Sequence, residues 1–215
     1  MPVNGSINFS IQYEVDGEEL EFDTARYFNA ANNRFSVSKL EYYISNLTLI
    51  GDDGELFASN DIHLINARNE SAIAFSVLNI PVKNYSGISF NIGLIPKQNK
   101  SGSLPPTLEN RNMAWPEPMG GGYHFLKLEG HVIDSIGTRS GYAMHLGTDT
   151  CLIHLTLKRL MVVQYQNQRM NLTMNVNEWF SNPNVYDLSV NNYNMGNQGR
   201  MLEIAQNGAS TLTLN

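Results

Sequence analysis

Alternation of apolar and polar residues at period two constrains this chain more than any other feature. In "SINFSIQYEV", Ile7, Phe9, Ile11 and Tyr13 fall on one side and Asn8, Ser10 and Gln12 on the other. Successive side chains of a strand point to opposite faces, so this pattern reads as a half-buried strand. Similar runs recur in "VSKLEYYISNLTLI", "DIHLIN", "AIAFSVLNI", "SGISFNIGL", "YHFLKLEGHVI", "CLIHLTLKRLMVVQY" and "RMNLTMNV", with Gly, Asn and Asp turns such as "GDDG" between them. Many short strands with little helix predict an all-β fold, an antiparallel Greek-key β-sandwich of immunoglobulin or cupredoxin type. Two short helices are expected near the C-terminus. "NVNEWF" can be capped by Asn175 or Asn177, and "RMLEIAQNG" places Met201, Leu202 and Ala205 at helical spacing with Gly208 as C-cap.

At 215 residues with no linker or internal repeat, the chain is read as one domain, 1–215, large enough for a sizeable core. Its net charge of −6, with 14 Lys plus Arg and no basic run, excludes nucleic acid as a partner. No segment has the ~20 continuous apolar residues of a transmembrane span. The start "MPVNGS" lacks the regions of a signal peptide, so the expectation is a cytosolic protein or one whose leader has been removed. The lone Cys151, in apolar "CLIHLTL", reads as a buried structural thiol.

The longest stretch without periodicity, residues 96–122, exceeds ordinary loop length and carries Met113, Trp115 and Met119 before three glycines. Directly after it, His124 shares strand parity with Leu126 and Leu128, which predicts an inward-facing imidazole at the mouth of the sandwich. Lys127 and Glu129 share the other face, and Glu129 reads as surface charge. His131 and His154 fall on outward parity, His145 follows Met144 in "GYAMHLGTD", and parity leaves the face of His63 open. Imidazole and thioether suit a soft metal such as copper, which makes His124, His145, Met113, Met119 and Met144 a candidate site. The same residues also read as a core histidine bonded to a backbone carbonyl and as ordinary gap-filling methionines. Hydrolase elbow, zinc-protease, P-loop and dinucleotide motifs are all absent, so no enzymatic activity is expected.

Three segments together, "SVSKLEYYISNLTLIGDDG", "MAWPEPMGGGYHFLKLEG" and "AMHLGTD", resemble the MbnP-like family of methanobactin-associated, periplasmic copper-binding proteins. The resemblance implies a β-sandwich in the periplasm or at the cell surface, a secreted protein or lipoprotein whose leader is missing here, and copper, Cu(I) or Cu(II), as the bound metal. Carried over residue by residue, it points to His63 and His145 as metal residues and matches Met113 and Trp115; His124, placed by strand parity, joins them as the third metal candidate, with Met113, Trp115, Met119 and Met144 in support. In some members a tryptophan is oxidised to kynurenine by a diheme partner of the cytochrome c peroxidase type, and Trp115 stands at that position. This chain departs by having Pro116, Glu117 and Pro118 where a second Trp is frequent, and His124 where others often have an apolar residue. Two functions therefore compete: copper acquisition or storage, and a metal-free sandwich that binds a protein or glycan through aromatic loop residues. Converging imidazoles would mark the first, an exposed patch around Trp115 the second.

Overall fold

The computed structural model describes residues 4–215, and its strands form two packed sheets. The first contains β1 (Asn4–Val15), β2 (Glu18–Glu19), β7 (Ala74–Pro81), β12 (Asn167–Asn175) and β13 (Leu212–Leu214). In the second, β4 (Arg34–Gly51) organises β3 (Tyr27–Phe28), β5 (Leu56–Ala58), β6 (Ile62–Asn66), β8 (Asn84–Ile92), β9 (His124–Ile133), β10 (Arg139–Gly147) and β11 (Ile153–Val162). The expected alternation holds in β1, where Ile7, Phe9 and Ile11 are buried and their neighbours are not. The arrangement is a β-sandwich, with one correction: β1 and β12 pair in parallel from Ser6↔Asn167 to Glu14↔Asn175. Their separation in sequence leaves the rest of the chain as the crossover that a parallel pair needs.

β4 is long because it serves two partners in turn along one edge. Glu41 pairs with Lys127 of β9 and Asn66 of β6, while Ser45 pairs with Asn91 of β8 and Ile62 of β6. A strand has only two edges, so β9 and β8 follow one another along the edge opposite β6. Tyr42 faces the other sheet, where its hydroxyl meets that of Tyr13 at 3.0 Å. Tyr43 and Glu41 consequently lie on the outer face.

The segment 96–122 is ordered and straps across that outer face. Within it, α1 (Leu108–Asn112) is capped by the Thr107 side chain, and Tyr43 donates to Asn110 Oδ1 at 2.8 Å. Glu117–Met119 forms a single 3₁₀ turn. The glycines answer to backbone geometry: Gly120, Gly121 and Gly122 have φ of 108°, 68° and 88°, in the left-handed region. A Cβ on Gly122 would also lie 2.4 Å from Asn99 Oδ1, the atom that accepts from Tyr123 N at 2.9 Å.

Near the C-terminus "NVNEWF" forms the 3₁₀ turn Val176–Phe180, capped by Asn175, and α2 spans Gln198–Asn207, capped by Asn197. Gly208 is the expected C-cap of α2, its N–H donating to the Ile204 and Gln206 carbonyls, but its φ of −57° is right-handed and the chain continues into another 3₁₀ turn. Glycine is required there by close packing, since a Cβ would lie 2.5 Å from Ile153 and 2.6 Å from Trp179.

Candidate functional site

β9 and β10 pair so that His145 lies opposite Lys127 and Met144 opposite Leu128. Met144 is fully buried on the core face, so the adjacent His145 turns outward and away from it. The register then shifts: Leu146 faces Leu126, but Gly147 faces His124, leaving Phe125 as the extra residue of a bulge. A bulge resets the alternation. His124 therefore joins the outer face, contrary to its expected place with Leu126 and Leu128, and its ring stands 5.0 Å from that of His145 at 88°. His124 is nonetheless 6% exposed, because the strap covers it.

Trp115 supplies that cover, with its ring 4.7 Å from His124 and edge-on to it. The indole lies directly on Gly147, where a Cβ would come within 2.3 Å of Trp115 Cε3. Trp115 Nε1 donates to the Met119 carbonyl at 3.1 Å, and Trp115 N to Gly122 O at 2.9 Å. Both polar ends of the residue are thus held by the strap itself.

Each imidazole has one nitrogen committed. His124 Nδ1 lies 3.1 Å from the Met113 carbonyl, which also accepts from His124 N at 2.6 Å. A carbonyl can only accept, so Nδ1 carries the proton and Nε2 keeps its lone pair. Burial, followed by the Lys127 and His145 charges, pushes His124 down to about 4, which keeps it neutral near pH 7. His145 Nε2 lies 3.0 Å from Glu129 Oε1. That hydrogen bond, with Lys39 at 3.4 Å adding charge, holds Glu129 at about 2. An ionised carboxylate only accepts, so in the neutral His145 ring the lone pair belongs to Nδ1. Carbonyl–His and carboxylate–His pairs of this kind orient imidazoles that ligate metals.

The remaining candidates lie elsewhere or contribute through the backbone. His63 pairs with Ile44 in β6 and stacks on Phe75 of the first sheet at 4.5 Å, so it looks between the sheets while the other two look outward. Met113 and Met119 present carbonyl oxygens to His124 and Trp115. Among the described residues, no three His, Cys, Asp or Glu side chains gather into a metal-binding group. Two further residues complete the surroundings: Glu129, read from parity as surface charge, and fully buried Asn194, whose Oδ1 accepts from His145 N at 2.7 Å. The cross-strand diagonal from Glu129 to His145 was the only signal for the first, and it needs a register. Nothing in the spacing pointed to Asn194.

The neutral His124 makes stability sensitive to acid. Its ordinary value is 6.5 and its folded value about 4, so between these the unfolded chain binds a proton that the folded protein does not. Stability is fully present above about pH 6.5 and falls on acidification, by about 2 kcal/mol from this group between pH 7.5 and 5. His63, also lowered by burial, acts in the same direction. Urea unfolding of wild type and His124→Phe at those two pH values should give a clearly shallower loss in the variant; equal losses would remove His124 as the cause.

The two sheets pack as a β-sandwich whose outer face holds a shielded, oriented imidazole pair. The chain belongs to the MbnP family, whose model matches residues 4–198. MbnP from Methylosinus trichosporium shares the fold, with a TM-score of 0.53 at 18% identity over 78% of this chain and 75% of that one. No curated protein matches the chain. Among the described residues no helix is long and apolar enough to cross a membrane.

Proposed function

We propose that this protein binds copper outside the cytoplasm, in acquisition or storage, through His124 and His145 beneath Trp115. The observation that carries the reading is the pair of perpendicular imidazoles 5.0 Å apart, each with its second nitrogen held by an acceptor. Two nitrogen donors fall short of the roughly four ligands of structural zinc and lack the several oxygens calcium requires. They suit copper, for which imidazole is a favoured donor. Copper bound here would supply a soft, redox-capable cation. His124 would offer Nε2 and His145 Nδ1, Glu129 and the Met113 carbonyl would fix the rings, and Trp115 would exclude water. Membership of the MbnP family supports the extracytoplasmic setting.

The competing recognition module needs Trp115 on display, yet it is 2% exposed. Trp115, edge-on to His124, is the residue that a diheme peroxidase-like partner would convert to kynurenine.

The test is elemental mass spectrometry after anaerobic Cu(I) loading and desalting. Wild type and His63→Ala are expected to retain near-stoichiometric copper, and His124→Ala and His145→Ala to lose most of it. Full retention in both of the latter would overturn the reading. Intact mass on protein produced with its native partners reports whether Trp115 is oxidised.

A further inference from the structure

The strap does more than cover the imidazoles, because on its other side it encloses a groove of about 390 Å³ against β4 and β6. Tyr43, Ile62 and Leu64 form its floor, and Leu104, Pro105 and Leu108 of the strap form the opposite wall. The floor residues share the outer face because Tyr43 pairs with Leu64 and Ser45 with Ile62. The walls are braced before any ligand arrives. Tyr43 donates to Asn110 Oδ1 at 2.8 Å, and Asn110 Nδ2 donates to the Pro105 carbonyl at 2.9 Å.

The polar part of the lining has one sign of charge. Glu41 and Glu109 border the groove, and among the described residues neither forms an ion pair. Glu41 Oε1 is oriented by Asn66 Nδ2 at 3.0 Å. The cation beside the groove, Lys127, donates to the Asn112 carbonyl. Leu108 is 70% exposed on α1, an apolar side chain left at the rim without a partner. An apolar concavity of a few hundred Å³ with a few convergent polar groups is the usual form of a small-molecule site.

We propose that this groove binds a small amphipathic organic cation, its apolar body between Leu64 and Leu108 and its ammonium or amidinium end toward Glu41 and Glu109. The site stands apart from the imidazole pair and does not depend on copper.

The experiment uses the full chain without added copper and three probes of matched shape: 2-phenylethylamine, 2-phenylethanol and 3-phenylpropanoate. Titrations followed by ¹H–¹⁵N NMR should shift Leu108 and the side-chain amides of Asn66 and Asn110, with affinity falling from amine to alcohol to carboxylate. Glu109→Gln should narrow the preference for the amine about twofold to fivefold, the size expected of an exposed ion pair. Leu108→Lys, a change at an exposed position, should abolish the shifts while leaving copper retention at wild-type level. Shifts that map outside the groove, equal affinity for the carboxylate, or unchanged binding in Leu108→Lys would overturn the proposal.

Discussion

Gly130→Ala is expected to be the most damaging single-methyl change in the second sheet. The added Cβ would lie 1.9 Å from the Ser36 carbonyl oxygen and 2.8 Å from the Tyr142 hydroxyl. Neither neighbour can yield cheaply. Ser36 belongs to the β4 backbone, and Tyr142, opposite Gly130 in the register, donates its hydroxyl to that same carbonyl at 3.0 Å while fully packed. The tyrosine occupies the space that a side chain on β9 would otherwise fill, so methyl insertion forces β4 and β9 apart. Overpacking of this kind costs about 3 kcal/mol or more when the opposing atom is backbone. For a chain of this size that lowers Tm by about 6 °C or more. Gly199→Ala is the control, since the nearest atom to its Cβ is an ordinary 3.6 Å away and alanine favours the helix. If both variants melt within about 2 °C of wild type, the packing account of Gly130 is wrong.

Gly147→Val should dismantle the imidazole site without touching either imidazole. Its Cβ would meet the indole of Trp115 at 2.3, 2.6 and 2.7 Å, so the ring must leave its place on β10. Departure breaks the bond from Nε1 to Met119 O and uncovers His124, whose neutral state depends on burial. The expected results are a loss of about 2 kcal/mol, a large displacement of one of the two indole N–H signals, and weakened Cu(I) retention. The protein has only two tryptophans, and Trp115→Phe assigns the signal that moves. An unmoved Trp115 signal together with full copper retention would show that the lid tolerates a side chain beneath it. Weakened retention with an intact fold would instead tie the metal site to the lid.

Much of the architecture was legible because a strand with one wet face must alternate. That rule found the strands and placed His131 and His154 outward, and its lapse over residues 96–122 set that segment apart as longer than an ordinary loop, with Met113, Trp115 and Met119 within it. Helix capping was legible for the same local reason where Asn175 accepts from the Asn177 backbone N–H and Gly208 closes α2, whereas the N-cap Asn197 had not been singled out. Parity failed at one residue with large consequences. Phe125 is an extra residue in the β9–β10 ladder, and a bulge is a relation between two strands that neither strand announces alone. It turned His124 from the core to the outer face, beside His145.

The family resemblance pointed to His63 together with His145, but the fold sets His63 against Phe75 on the inner side of β6. Gly208 shows the same division between local and distant causes. It reads as a helix cap, and it is glycine because Ile153 and Trp179 crowd it. The sequence by itself determined the strand faces, the turn residues, the caps and the residue types from which a copper site could be built, since each follows from interactions within a few residues. Which imidazoles meet, that Glu129 and Asn194 serve His145, and that the strap makes a groove on one side and a lid on the other were decided only by tertiary structure. The physical reason is register: the meeting of β4, β6, β9 and β10 side by side brings together residues that local propensity cannot relate.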